Sequence, residues 1–179
     1  MGRQVVRDDV DGSAVGAGSR AGTRAPRVRS STRWPALCAS SAARALWTDW
    51  LLLAPEARNV LWWMFTDPAA RMVFVEWEQE ASALLARFRS AAARHPGDHG
   101  FEELTARLKA ASPEIRAWWP RHDIAPLGSG IKRLRHPLLG EQELRHVVLL
   151  TADDVEQKLV AFRAADADQA RIAELVAAG

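Results

Sequence analysis

Apolar positions follow two different rhythms along the chain. From residue 55 to about 119 they recur every three or four positions, the spacing of one helix face, and from 130 to about 163 they alternate with polar ones, the spacing of one strand face. The helical stripe is clearest over 75–94, where Trp77, Ala81, Leu84, Leu85, Phe88 and Ala92 line up. "PEARNVLWWMF" places Pro55 in a first turn and Val60, Leu61, Met64 and Phe65 on one face. With Trp62 and Trp63 added, that helix is apolar almost all round and predicts burial. Asp67 and Pro68 restart a helix as cap and first residue. Phe101, Leu104 and Leu108 mark another over 99–110. Ser112, Pro113 and Glu114 open a last one, with Ile115, Trp118 and Trp119 on one side. Pro120 lacks an N–H and ends or kinks it, leaving His122 and Asp123 in the exit loop.

The strand regime begins with "GIKRLRHP", bounded by Gly130 and Pro137. "ELRHVVLL" puts Leu144, His146, Val148 and Leu150 on one side, "TADD" reads as a turn, and "VEQKLVAFRA" as the other arm of a hairpin. "DADQARIAELVAAG" predicts a closing helix capped by Asp166 or Asp168. Ahead of the helical block, "PRVRSSTRWPALCAS" reads as a weak strand, kept to an edge by Pro35, running into the helix "SSAARALW". Residues 1–24 lack apolar periodicity and read as a disordered basic leader, with 25–179 as one folded domain. The order of elements predicts an α+β fold: a block of helices packed over one face of an antiparallel sheet.

Composition adds a few bounds. At 48% apolar and 26% charged over 179 residues, the chain can bury a core. No apolar run reaches about 18 residues, the minimum for a membrane-spanning helix. The acids of "MGRQVVRDDVDG" do not suit a signal peptide, so a cytoplasmic location is expected. The single Cys38 excludes an internal disulfide and a cysteine-rich zinc site, and reads as a small buried hydrophobe. The formal charge of +2 is uneven: residues 1–45 hold eight Arg and three Asp, a balance of +5, and the remainder balances at −3. The basic excess belongs to the leader, which argues against nucleic-acid binding by the folded body.

Few chemistries survive. No H-E-x-x-H, phosphate-binding loop, nucleophile elbow or dinucleotide fingerprint is present, and "GSG" at 128–130 reads as a turn. His95 and His99 have a metal-ligand spacing but straddle "PGD", which suits a surface loop. His122 beside Asp123 could orient an imidazole, but adjacent side chains rarely face each other and no nucleophile accompanies them. The run Lys132, Arg133, Arg135, His136 alternates between strand faces and cannot form one basic stripe; a solvated edge strand, a phosphate contact and a positive rim for a carboxylate all remain open. Eight Trp, four of them in the pairs 62–63 and 118–119, suit either a core or an apolar pocket between helices and sheet.

Taken together, Arg58-Asn59, Phe65-Thr66-Asp67-Pro68, Trp77, Trp119 with His122 and Asp123, and His136-Pro137 with Gly140 follow one another with family spacing. From about residue 25 onward the chain resembles the MmyB-like ligand-binding domain, the sensor half of actinobacterial XRE-type helix-turn-helix transcription regulators. The resemblance implies a PAS-like antiparallel sheet with helices around a pocket, no catalysis, no cofactor, and a small apolar, fatty-acid-like ligand. It departs from the family pattern at Ser40, where Asn is usual, at Pro120, at His146, where an aromatic is usual, and at Val155, where Pro is common. Too few residues precede the domain for a helix-turn-helix unit, so the expected chain is a sensor without DNA-binding capacity of its own. The alternatives are a homodimer or a module that pairs with full-length regulators, and a truncated regulator fragment. The ligand-contacting candidates are Trp62, Phe65, Phe88, Trp118, Trp119, His122, Lys132, Arg135, His136 and His146.

Overall fold

The structure is a computed structural model that describes residues 3–5, 36–38, 41–123, 125, 128–150 and 158–178. The strands are β1 (Arg3–Val5), β2 (Ala36–Cys38), β3 (Gly130–His136), β4 (Gly140–Leu150) and β5 (Lys158–Arg163). The helices are α1 (Ser41–Leu46), α2 (Val60–Thr66), α3 (Pro68–Val73), α4 (Trp77–Ala93), α5 (His99–Ala111), α6 (Pro113–Trp118) and α7 (Asp166–Ala178). The fold is α+β. The sheet runs β2-β1-β5-β4-β3, with β3, β4 and β5 antiparallel and β1 parallel to both β2 and β5. Of the leader, Arg3–Val5 contributes this short strand; its other residues, the turn at 151–154 and the start of the last hairpin arm lie outside the described residues.

Caps fix the helix boundaries. The stretch expected as one helix from Pro55 is a 3-10 turn, Pro55–Ala57, followed by α2. The break is Asn59: its backbone is extended, and its buried side-chain Oδ1 accepts from the N–H groups of Leu61 and Trp62 at 2.9 and 3.1 Å. An Asn side chain competes with helix continuation and favours a fresh start. Arg58 donates to the carbonyls of Leu51 and Leu53, tying the preceding loop to the block. Asp67 closes α2 and caps α3, accepting from Ala69 N–H at 2.9 Å. Ser112 caps α6 ahead of Pro113, and Pro120 turns the end of α6 into a 3-10 turn over Trp119–Arg121.

The helices bury their stripes against one another and against the inner face of the sheet. Leu61, Trp63, Phe74, Trp77, Ala81, Leu85, Phe88, Leu104, Leu108 and Ile115 join Leu134 and Leu144 in one core. Phe74 bridges Leu134, and Val75 N–H donates to the Arg133 carbonyl, so this link covers the free edge of β3. The strands alternate as their period demands. Lys132, Leu134, Gln142 and Leu144 turn inward, while Ile131, Arg133, Arg135, Glu143 and Arg145 are exposed. The basic run of β3 is therefore split between faces, as its spacing requires.

Candidate functional site

The inner face of the sheet is more polar than a core surface should be, and the polarity is concentrated at one end. Lys132 on β3 points inward and pairs with Glu80 of α4, the two side chains being 15% and 18% exposed. Arg87 lies seven residues beyond Glu80, two turns along the same helix, on the same side. Burial pushes both Arg87 and Lys132 below their ordinary values; Glu80 pulls each back up, and Arg87 pushes Lys132 further down. His146 on β4 faces Gly130 of β3 in register. A side chain at Gly130 would crowd that ring, since a Cβ there would sit 3.1 Å from His146 Cε1.

Burial, then the charge of Lys132, hold the His146 ring below its ordinary pKa of 6.5; Arg87 adds to this, and Glu80 and the Gly128 backbone oppose it. The sign follows. Between its lowered folded value and 6.5, the unfolded chain holds a proton that the fold refuses, so stability falls as pH drops below about 6.5. Urea midpoints at pH 7.5 and 5.5 should differ in the wild type. The difference should shrink in His146→Phe, above the range where Asp49 and Glu114, both held low, begin to take up protons. An unchanged difference would remove His146 from this role.

Beside this cluster lies an aromatic wall. Phe162 of β5 is the register partner of His146, with ring centroids 5.7 Å apart, and Trp47 meets Phe162 edge-on at 5.0 Å. Among the described residues, four polar side-chain atoms are sealed from solvent with no hydrogen-bond partner: Trp47 Nε1, Trp63 Nε1, Gln142 Oε1 and His146 Nδ1. Two of the four sit on rings that flank Phe162.

The other sequence candidates are dispersed. Phe65 is core, edge-on to Trp77 and Trp118. Phe88 is fully buried between Phe101 and Trp119. Trp62 is half-buried under Arg107, and Trp119 under Lys109 and Arg89. His122 is exposed, with a left-handed backbone (φ 55°), and its Nδ1 contacts Arg89 at 2.8 Å. Arg135 pairs with Glu141 on the outer side, and His136 Nδ1 accepts from Leu138 and Leu139 N–H in the β3–β4 turn. Of the ten, Lys132 and His146 meet in the inner cluster, while Phe65 with Trp118 and Phe88 with Trp119 meet in the helical core. Glu80, Arg87, Trp47 and Phe162 were not singled out by sequence. The signal for the first two was a charged pair seven apart at the border of an apolar helix stripe.

An open groove of about 660 Å³ lies elsewhere, lined by Val75, Glu76, Trp77, Glu78, Gln79, Ser82, Trp118 and Arg121. Several of its polar groups have protein partners or are exposed: Trp77 Nε1 donates to the Met64 carbonyl at 3.0 Å, Glu76 pairs with Arg133, and Glu78, Gln79 and Arg121 are exposed. Nothing there calls for a ligand, so the inner cluster is the better candidate despite the groove's size. His95 and His99 do not share a ligand set; His95 stacks on Phe101, while the His99 side chain is 99% exposed. Among the described residues, no three His, Cys, Asp or Glu side chains gather to hold a metal ion.

A polar cluster and orphaned donors under a helical cover suit ligand binding, and comparison with known families decides the matter. The sequence model of the MmyB-like transcription regulator ligand-binding domain matches residues 23–175. The chain belongs to that family. The MmyB-like domain is a regulator's ligand-binding unit, and its matched span contains every residue of the inner cluster. No curated protein and no solved structure matches the chain. No helix among the described residues is long and apolar enough to cross a membrane.

Proposed function

We propose that this MmyB-like domain is the cytoplasmic sensor of an XRE-type transcription regulator. Its small, fatty-acid-like ligand lies between α4 and the inner face of the sheet, along Trp47, Phe162 and His146. The observation that supports this reading is the pair of sealed, unpartnered atoms on rings either side of Phe162, Trp47 Nε1 and His146 Nδ1. Buried polar atoms are almost always paired, because leaving one unpaired costs roughly 1–3 kcal/mol. A ligand would supply the partner that no described residue gives them. The PAS-like sensing role implied by the family resemblance gives that partner a purpose.

Ligand binding to the folded state alone adds stability by mass action, about 2.7 kcal/mol at 100 times the dissociation constant. Purified protein should therefore melt higher with a saturating medium-chain fatty acid. Native mass spectrometry of the chain should show the complex as a discrete mass. A panel of straight-chain acids and alcohols that leaves both the melting temperature and the mass unchanged would refute the reading.

A further inference from the structure

We propose that the outer face of the sheet docks an amphipathic helix of a partner protein, one that carries a carboxylate beside its apolar stripe and sets it on Arg145 and Arg163. The helices pack on the inner face, and the outward positions of β3, β4 and β5 are open. Ile131, Val147 and Leu149 point outward and are 52%, 46% and 52% exposed. Register gathers them: Ile131 stands beside Arg145, and Leu149 beside the half-exposed Leu159. They form one patch across three strands, about 10 Å wide at the usual strand spacing. Apolar side chains scattered singly need no account, but a contiguous apolar patch marks a contact surface. This surface does not depend on the ligand site proposed above, although β4 is common to both: His146 projects inward between Arg145 and Val147.

Charge selects the occupant. Arg145 and Arg163 are register partners, so two guanidinium groups stand directly opposite each other at the border of the patch. Like charges in that position destabilise a sheet. Arg163 pairs with Asp166 at 3.1 Å, but side chains 74% and 88% exposed hold each other weakly. Arg145 makes no side-chain hydrogen bond or ion pair with any described residue. A carboxylate from outside, set between the two, relieves both. A second copy of the chain does not bring one from this face. Its acids, Glu141 and Glu143, lie on the far side of Arg145 from Val147 and Leu149, so a two-fold contact that overlays patch on patch carries them away from Arg145. The same two acids oppose an anionic membrane. A helix fits the shape: two turns of an apolar stripe run about 11 Å, and helices pack on sheet faces throughout α+β folds. The recognition elements are then apolar anchors at i, i+3 or i+4, and i+7, with an Asp or Glu beside them.

The test titrates the ¹⁵N-labelled full chain with a designed helical peptide of about five turns, bearing a leucine stripe flanked by Glu, and with the same peptide carrying Lys in place of Glu. The Glu peptide should shift the amide signals of residues 145–149 and bind about fivefold tighter than the Lys peptide, the scale of one exposed ion pair. Arg145→Glu should reverse that preference. Without peptide it should also melt higher than wild type, because it sets opposite charges across the strands. Leu149→Lys should lose the Glu peptide while its melting temperature stays at the wild-type value. Equal binding of the two peptides, shifts confined to other residues, or no binding would overturn the proposal, as would a lower melting temperature for Arg145→Glu. Self-association of wild type that Leu149→Lys abolishes would assign the face to a second copy. Co-sedimentation with phosphatidylglycerol vesicles, lost in the same variant, would assign it to a membrane. Either result overturns the partner helix.

Discussion

Glu80→Gln is expected to destabilise the domain by about 3–5 kcal/mol, the usual effect of removing one member of a buried ion pair. The loss leaves Lys132 without its paired carboxylate and removes the charge that offsets the burial of both Lys132 and Arg87. Lys132→Met should cost less. It removes the direct partner of Glu80 but leaves Arg87, two turns along the same helix, to balance the carboxylate. The asymmetry distinguishes a cluster with surplus positive charge from an ordinary isolated pair, in which either truncation costs about the same. Urea denaturation of the two variants checks it. Equal losses, or a larger loss for Lys132→Met, would mean that Arg87 does not share Glu80.

The second large effect is in the helical block. Phe88 has no exposed surface and packs against Phe101 and Trp119, with centroids at 5.6 and 6.3 Å. Phe88→Ala should cost about 3–5 kcal/mol through lost burial and the cavity left behind. Trp119→Ala should cost less, although tryptophan is the larger residue. Its ring is only partly covered, and one face carries the Lys109 ammonium at 4.6 Å and the Arg89 guanidinium at 5.8 Å. Thermal unfolding of both variants measures the difference. A larger loss for Trp119→Ala would place the weight of that packing on the wrong ring.

Much of the fold was legible because local signals agreed with one another. The stripe from Trp77 to Ala92 became α4, the Ser112-Pro113 start became α6, and Pro120 ended it as its missing N–H requires. The alternation in 130–150 correctly divided the basic run between faces. Asn59 was harder to read. It sits inside a stretch with helical spacing, and only its side chain's choice of backbone partners converts it into a cap. β1 offers three residues and no period of its own, so pairing with β2 and β5 defines it rather than pattern.

The site was legible only in part, for a physical reason. Lys132 and His146 stand at inward positions of strands, so their spacing exposes them as unusual. Glu80 and Arg87 stand on a helix, where charged residues at a stripe's border are normally solvated; it takes the sheet opposite to bury them. The tryptophan pairs were ambiguous because an indole fills a core or lines a pocket equally well. Trp118 packs against Phe65 and Trp77, and Trp63 against Trp50 and Phe74. Trp47, unremarkable in sequence, has a buried donor with no partner.

The indole N–H signals make the central claim directly observable. The eight tryptophans each give one resonance in a ¹⁵N-correlated NMR spectrum, assignable by single Trp→Phe variants. On titration with dodecanoate, the Trp47 Nε1–H signal should move, with Trp118 and Trp119 unchanged. Movement of Trp118 alone would place the ligand in the outer groove beside Arg121, and eight unmoved signals would contradict a ligand site along this wall.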